Sequence, residues 1–248
     1  MKREYTLGKH SSHTFESLCK GMGRSEVHLL TYNDEYLKDA FMTQLAEHFV
    51  DEGWKITFIQ PLSTEYMLRD LFLSRIYFKQ NPHDFPFIQE LHKQQFTPIL
   101  PMHQEELRVI QEQLTIISTK PQPSLEYCEQ LVQSMVGGAV GNHLLIMESP
   151  NESSLEISFK TEKWAKDHGL TILLTNKIAS KDFPTIYCGF PFDYESCFYL
   201  HSHYPNLYNL STQKNIACDF TLNYENMISQ QIESHFTLRP ANGYCQEA

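Results

Sequence analysis

The sequence has no apolar stretch approaching the roughly 18–20 residues that a membrane-spanning helix needs. Its beginning, MKREYTLGKHSSH, lacks the apolar segment of a signal peptide, so an intracellular protein is expected. Among its six cysteines there is no C-x-x-C pair, which in a chain of 248 residues argues against a disulfide framework and for reduced thiols. Basic charge is also short, with 20 Lys and Arg against 30 Asp and Glu and a formal net charge of −10. A protein that holds DNA through many phosphate contacts shows a basic face or stripe. The only basic bias here is near the start, where Lys2, Arg3, Lys9, Lys20 and Arg24 outnumber Glu4 and Glu16. Autonomous nucleic-acid binding is therefore not expected, and neither is membrane attachment.

Familiar catalytic patterns are missing too. There is no G-x-S-x-G elbow and no Cys–His nucleophile pattern, so a hydrolase built on Cys188, Cys197 or Cys218 has no support. His10 and His13 in HSSH, and His201 and His203 in HSH, invite a zinc reading. Zinc wants three or four ligands with second-shell support, and no matching Cys/His spacing lies nearby. No metal site is expected.

What is present is an ordinary globular composition, 41% hydrophobic and 20% charged, at a length that suits one sizeable α/β domain. Apolar strand-like runs recur at Val27–Leu30, Ile56–Ile59, Leu144–Met147 and Thr171–Leu174, with helix-like stretches between them. In STEYMLRDLFLSRIYF, the residues Tyr66, Met67, Phe72, Leu73 and Ile76 fall near one face of a helix. Ser124 reads as an N-cap, and Gly169 as the stop of the helix before LTILLTN. Uniformly apolar strands alternating with helices indicate a parallel sheet covered on both faces. The later runs SCFYLHS and CDFTLNY, with no helix between them, suggest an antiparallel edge. The expected fold is α/β: doubly wound, mostly parallel, with helices on both faces and a β-rich C-terminal edge. Its expected layout is an N-terminal tail and entry helix at 1–24, one domain at 25–238 and a C-terminal tail at 239–248.

Between the first two strands, TYNDEYLKDAF stands where a nucleotide-binding protein keeps its phosphate loop. The pattern G-x-x-x-x-G-K-[ST] needs glycines so that backbone N–H groups can wrap the phosphates. Lys38 is in register, but Tyr32 and Leu37 hold the glycine positions and Asp39 holds the Ser/Thr position.

The order of these segments, from His13 to His235, resembles the RecA-like core of the DnaB and Twinkle type of replicative helicase. The carrying stretches are TFESLCKGMGRSEVHLL at the entry, TYNDEYLKDAF in the P-loop register and ITFIQPLSTEYMLRDL at the second strand and helix. LTIISTKPQPSLEYCEQLV then resembles the strand and helix before Walker B, HLLIMESPN sits at Walker B, and WAKDHGLTILLTNKIAS resembles the sensor strand. SCFYLHSHYPN and STQKNIACDFTLNY resemble the last strands. The resemblance implies a RecA-like fold whose nucleotide positions are degenerate. Lys38 matches the phosphate-binding lysine. Asp39 replaces the hydroxyl that would hold magnesium, and Asp34 and Glu35 add negative charge to the loop. The catalytic glutamate falls at Gln60 or Pro61, and neither can act as a base. Glu148 stands at the Walker B aspartate, Asn176 at the sensor, and Lys214 at the finger, whose arginine position holds Asn215 or Ile216. An arginine finger contributes orders of magnitude in rate, so its loss alone would be severe.

These changes together imply a pseudo-ATPase with no cofactor, although weak ATP and magnesium binding stays open. The expected function is that of a non-catalytic, helicase-like subunit that binds a protein partner or itself. The alternative is a divergent ATP-dependent DNA helicase or ssDNA-stimulated ATPase that uses Lys38, Asp39 and Glu148 unconventionally. Aromatic residues are enriched in interface hot spots. The expected partner surface is therefore the loop TYNDEYLKD, with Tyr32 and Tyr36, together with Phe190, Phe192, Tyr194, Tyr204 and Tyr208.

Overall fold

Each of the four apolar runs becomes a buried central strand. The computed structural model describes residues 22–23, 25–80, 108, 112–119, 123–136, 142–150, 152–178, 194, 196–204, 206–211, 213, 216–226 and 231–247. In chain order these form β1 (Val27–Tyr32), α1 (Glu35–Asp51), β2 (Lys55–Pro61), α2 (Leu62–Gln80), β3 (Leu114–Thr119), α3 (Leu125–Val136), β4 (His143–Glu148), α4 (Ser154–His168) and β5 (Thr171–Lys177). After these come β6 (Ser196–Ser202), a 3₁₀ turn (Leu207–Leu210), β7 (Cys218–Asn226), β8 (Gln231–Arg239) and β9 (Tyr244–Glu247). No helix among the described residues is long and apolar enough to cross a membrane.

The nine strands make one sheet in the order β3-β2-β4-β5-β1-β6-β7-β8-β9. From β3 to β6 every pairing is parallel, and from β6 onward every pairing is antiparallel. The expected mostly parallel, doubly wound sheet with a β-rich edge is what the chain forms. The edge extends further than expected, because the C-terminal residues read as a tail belong to the β8–β9 hairpin. Gly243, at φ +67°, makes that turn possible. A Cβ there would lie 2.3 Å from Leu71 Cδ2.

Alternation along the strands sorts the core onto two faces. On one face Leu30, Phe58, Ile146, Leu173 and Phe198 pack under α1 and α2 through Phe41, Leu45, Phe49, Leu68 and Leu71. On the other, Leu29, Ile59, Met147 and Leu174 pack against Val132 of α3 and Ile157 and Trp164 of α4. In α2 the buried side chains include Leu68, Leu71, Phe72, Arg75 and Ile76, a set centred differently from the expected stripe.

Helix α1 is buried along nearly its whole length, including the charged residues Lys38, Asp39 and Glu47. Its outer side is covered by the C-terminal hairpin. Gln44 Nε2 donates to the Cys245 carbonyl (3.1 Å), and the Cys245 N–H donates to Gln44 Oε1 (3.0 Å). Arg75 of α2 ties the same corner, donating to Glu47 Oε2 (2.7 Å) and to the Gly243 carbonyl (3.1 Å). The Tyr36 hydroxyl donates to the Pro240 carbonyl.

Candidate functional site

In an open α/β sheet the strands end at a shared carboxyl edge, where ligands bind. Here a cleft of about 590 Å³ opens at that edge. Its walls come from Asn33 to Tyr36 at the start of α1, Lys38 and Asp39 one turn later, and Pro61 and Met67 beyond β2. Glu148 and Lys177 end the neighbouring strands, and Asn206 and Tyr208 close the side beside β6. Lys38 and Glu148, read as the surviving members of a nucleotide site, do meet in one cleft.

The connection between β1 and α1 is only Asn33 and Asp34, too short to wrap a phosphate. Asp34, in extended backbone, caps α1 as Asp commonly does. Its Oδ1 accepts from the Leu37 N–H (2.9 Å), and its Oδ2 accepts from the Leu207 N–H (3.3 Å). Asn33 extends the strand pairing with its amide: Nδ2 donates to the Ser202 carbonyl (2.9 Å), and Oδ1 accepts from the Ser202 N–H (2.8 Å). A protein carboxylate therefore sits on the helix N-terminus, the place that suits an anion.

Lys38 is enclosed. Its Nζ lies 3.0 Å from Asp39 Oδ1, 3.1 Å from Glu35 Oε2 and 5.1 Å from the centroid of the Tyr32 ring. Glu35 also reaches Lys177 Nζ (3.2 Å) and accepts from the Tyr32 hydroxyl (3.3 Å), so one carboxylate bridges both lysines. Burial alone would drive the Lys38 ammonium toward neutrality, but Asp39, Tyr32 and Glu35 outweigh it and hold the charge. Burial pushes the Asp39 carboxyl up to about 6, against the pull of Lys38. Burial also raises Glu148, with Lys38 opposing and Glu35 adding. For Glu35 burial is outweighed by Lys38 and Lys177, and its carboxyl is held below its ordinary value.

The other expected positions divide. Leu37 is wholly buried in the core. Gln60 is wholly buried as well, and neither its Oε1 nor its Nε2 has a hydrogen-bond partner. Asn176 does not line the cleft: alternation along β5 turns it to the opposite face and puts Lys177 there instead. Lys214 and Asn215 lie outside the described residues, as do Phe190 and Phe192. Tyr32 and Tyr36 are 1% and 3% exposed: Tyr32 ends β1 on the same covered face as Leu30, and Tyr36 lies in the buried first turn of α1. They are not offered to a partner, and Tyr194 is buried too. Of the expected aromatic surface, Tyr204 is exposed and Tyr208 is half-buried, its ring 5.8 Å from that of Tyr36.

His201 and His203 have ring centroids 4.9 Å apart. No group of three or more His, Cys, Asp or Glu that could hold a metal occurs among the described residues, and His10 and His13 lie outside them. Reading the sequence missed Lys177 as a cleft residue and Asp34 as a cap. The cap had a signal, an Asp just before a helix with an acid in its first turn. Lys177 had none.

No family model matches the chain, and no curated protein matches it in sequence. Solved structures do match. One, described as an ATPase domain, superposes with a TM-score of 0.63 at 11% identity, covering 95% of this chain and 89% of that one. A DnaB-like replicative helicase, described with its interactions with primase, gives 0.64 at 11% identity over 99% of this chain and 63% of that chain. The RadB recombinase gives 0.56 at 8% identity, covering 98% and 99%. At these identities the likeness is one of fold, and the fold is the RecA-like core of DnaB-type helicases and RecA-family recombinases.

Proposed function

We propose that this chain is a non-catalytic RecA-fold protein, a partner-binding or regulatory subunit of DNA replication, repair or recombination. One observation carries the reading: Glu35 bridges Lys38 and Lys177 while Asp34 caps α1, so protein carboxylates already hold the groups that would bind a phosphate. A phosphate entering there would have to break two ion pairs and displace a cap, and would meet Glu148 and Asp39 as like charges. Gln60, where the resemblance expects a catalytic base, has no basic group to offer. A structural neighbour described through its interactions with primase supports a role in assemblies of this kind.

Thermal unfolding with ATP and magnesium tests the reading. A working site at a hundredfold excess over its dissociation constant would gain about 2.7 kcal/mol of stability. The closed site predicts no gain. The second reading, a divergent ATPase or helicase, draws on Lys38 and Glu148 lining one cleft, and a nucleotide-dependent gain abolished by Lys38→Ala would favour it.

A further inference from the structure

We propose that two copies of this chain associate through α4, the two helices running antiparallel about a two-fold axis at Phe159. The surface lies on the face of the sheet away from α1 and α2, so it holds or fails independently of the nucleotide site. Among the described residues, the large hydrophobic side chains left exposed are Tyr127, Leu155, Phe159 and Tyr204. Single exposed apolar residues are ordinary. Leu155 and Phe159 are not single: they stand four apart on one helix, 67% and 71% exposed, and are neighbours on one face. Ile157, Ser158, Thr161, Trp164 and Ala165 form the buried side of α4, so the helix packs on the sheet without them.

The charges around Phe159 say what covers it. Glu156 lies one turn before it and Lys163 one turn after it, both exposed and both on its face. The other lysines of the helix are already engaged: Lys160 is held by Glu129 of α3 at 3.4 Å, and Lys166 by Glu162. Glu156 and Lys163 have no ion-pair partner among the described residues. A second α4 laid antiparallel sets Glu156 of each copy opposite Lys163 of the other, with the two Phe159 rings meeting on the axis. A parallel pair sets Glu156 against Glu156 and Lys163 against Lys163. The face is thus complementary to itself in one orientation, the isologous property of a closed dimer. Two helix faces bury an area at the small end of protein interfaces, under about 1,200 Å², so the dimer is weak, with a micromolar dissociation constant.

Analytical ultracentrifugation of the full chain tests this, over a concentration series from about 1 μM to about 1 mM. The wild type shows a reversible monomer–dimer equilibrium. Phe159→Glu, at an exposed position, keeps its melting curve and weakens the dimer by about tenfold or more. Glu156→Lys and Lys163→Glu each weaken it alone, because each sets like charges against one another. An equimolar mixture of these two variants associates again, since both lysines of the first then face both glutamates of the second. Glu156→Lys also takes an acid from the first turn of α4, a loss that persists in the mixture, so recovery there reads the contact between copies and not helix stability. A chain that is monomeric throughout the series overturns the proposal and leaves the face to a different protein. A dimer indifferent to Phe159→Glu, a mixture that does not recover, or a ring of more than two copies overturns it as well. None of these results bears on ATP binding, and a stability gain with ATP and magnesium contradicts the closed site while leaving the dimer standing.

Discussion

Lys38 Nζ lies 3.0 Å from the Oδ1 of Asp39, its neighbour in the chain, with side chains 2% and 5% exposed. The one residue in register with a phosphate-binding lysine is thereby a structural ion, held by Asp39 on one side and Glu35 on the other. Removing one partner of a buried pair leaves an uncompensated charge and typically costs about 3–5 kcal/mol. Lys38→Ala is expected to lose stability of that order in urea denaturation, with or without ATP. A Lys38→Met, Asp39→Asn variant should recover most of it. A Lys38→Ala protein as stable as the wild type would contradict this role.

The second buried pair predicts the same pattern at a different corner. Arg75 and Glu47 meet at 2.7 Å, and Arg75 also lies over the Tyr244 ring at 5.5 Å, joining α1, α2 and the C-terminal hairpin. Arg75→Met should cost about 3–5 kcal/mol by taking the guanidinium away from the buried Glu47 carboxylate. Adding Glu47→Met should restore a large part, as read from the urea midpoint.

Gly243 admits no side chain. Its φ of +67° and the 2.3 Å approach of Leu71 Cδ2 to any added Cβ predict that Gly243→Ala costs about 1–3 kcal/mol, a drop of several degrees in Tm. An unchanged melting curve would mean that the hairpin does not pack on α2 as described.

His48 predicts a pH dependence. Burial lowers it from 6.5 to about 4, so the folded protein holds the neutral ring. Its stabilising share is therefore complete above about pH 6.5 and is lost as pH falls toward 4, by roughly 3 kcal/mol. Asp39 acts in the opposite sense. Raised from 3.8 to about 6, it favours the folded state more as it gains its proton over nearly the same range. The measurable quantity is then the difference between wild type and His48→Gln. The variant should gain on the wild type as pH falls from 7 to 4, and a difference independent of pH would refute the assignment.

The parallel half of the fold was legible because its strands are uniformly apolar. A run such as LLIM in β4 or TILL in β5, short and alternating with helix-like stretches, reads as a strand covered on both faces. QIESHFTLR alternates polar and apolar residues, which is the signal of a half-buried strand, but YCQE is only four residues long and nothing in it shows that it pairs with β8. The register of Lys38 could be read in the chain, but its surroundings could not. Glu35 finds Lys177 only when β1 and β5 pair, with Tyr32 opposite Lys177, a contact between residues far apart in sequence. Tyr32 and Tyr36 look available to a partner only while TYNDEYLKD reads as a loop. The cap at Asp34 starts the helix early and turns Tyr36 inward, while Tyr32 is still in β1, on the face that α1 covers.

The central claim is that protein carboxylates have closed the nucleotide site. The most direct measurement is ATP turnover with magnesium by purified wild-type protein beside a Lys38→Ala, Glu148→Gln variant. The account predicts no turnover in the wild type above that of the variant. Wild-type hydrolysis at roughly the 1–100 s⁻¹ common among phosphoryl-transfer enzymes, or even about a hundredfold slower, and abolished by Lys38→Ala, would contradict it.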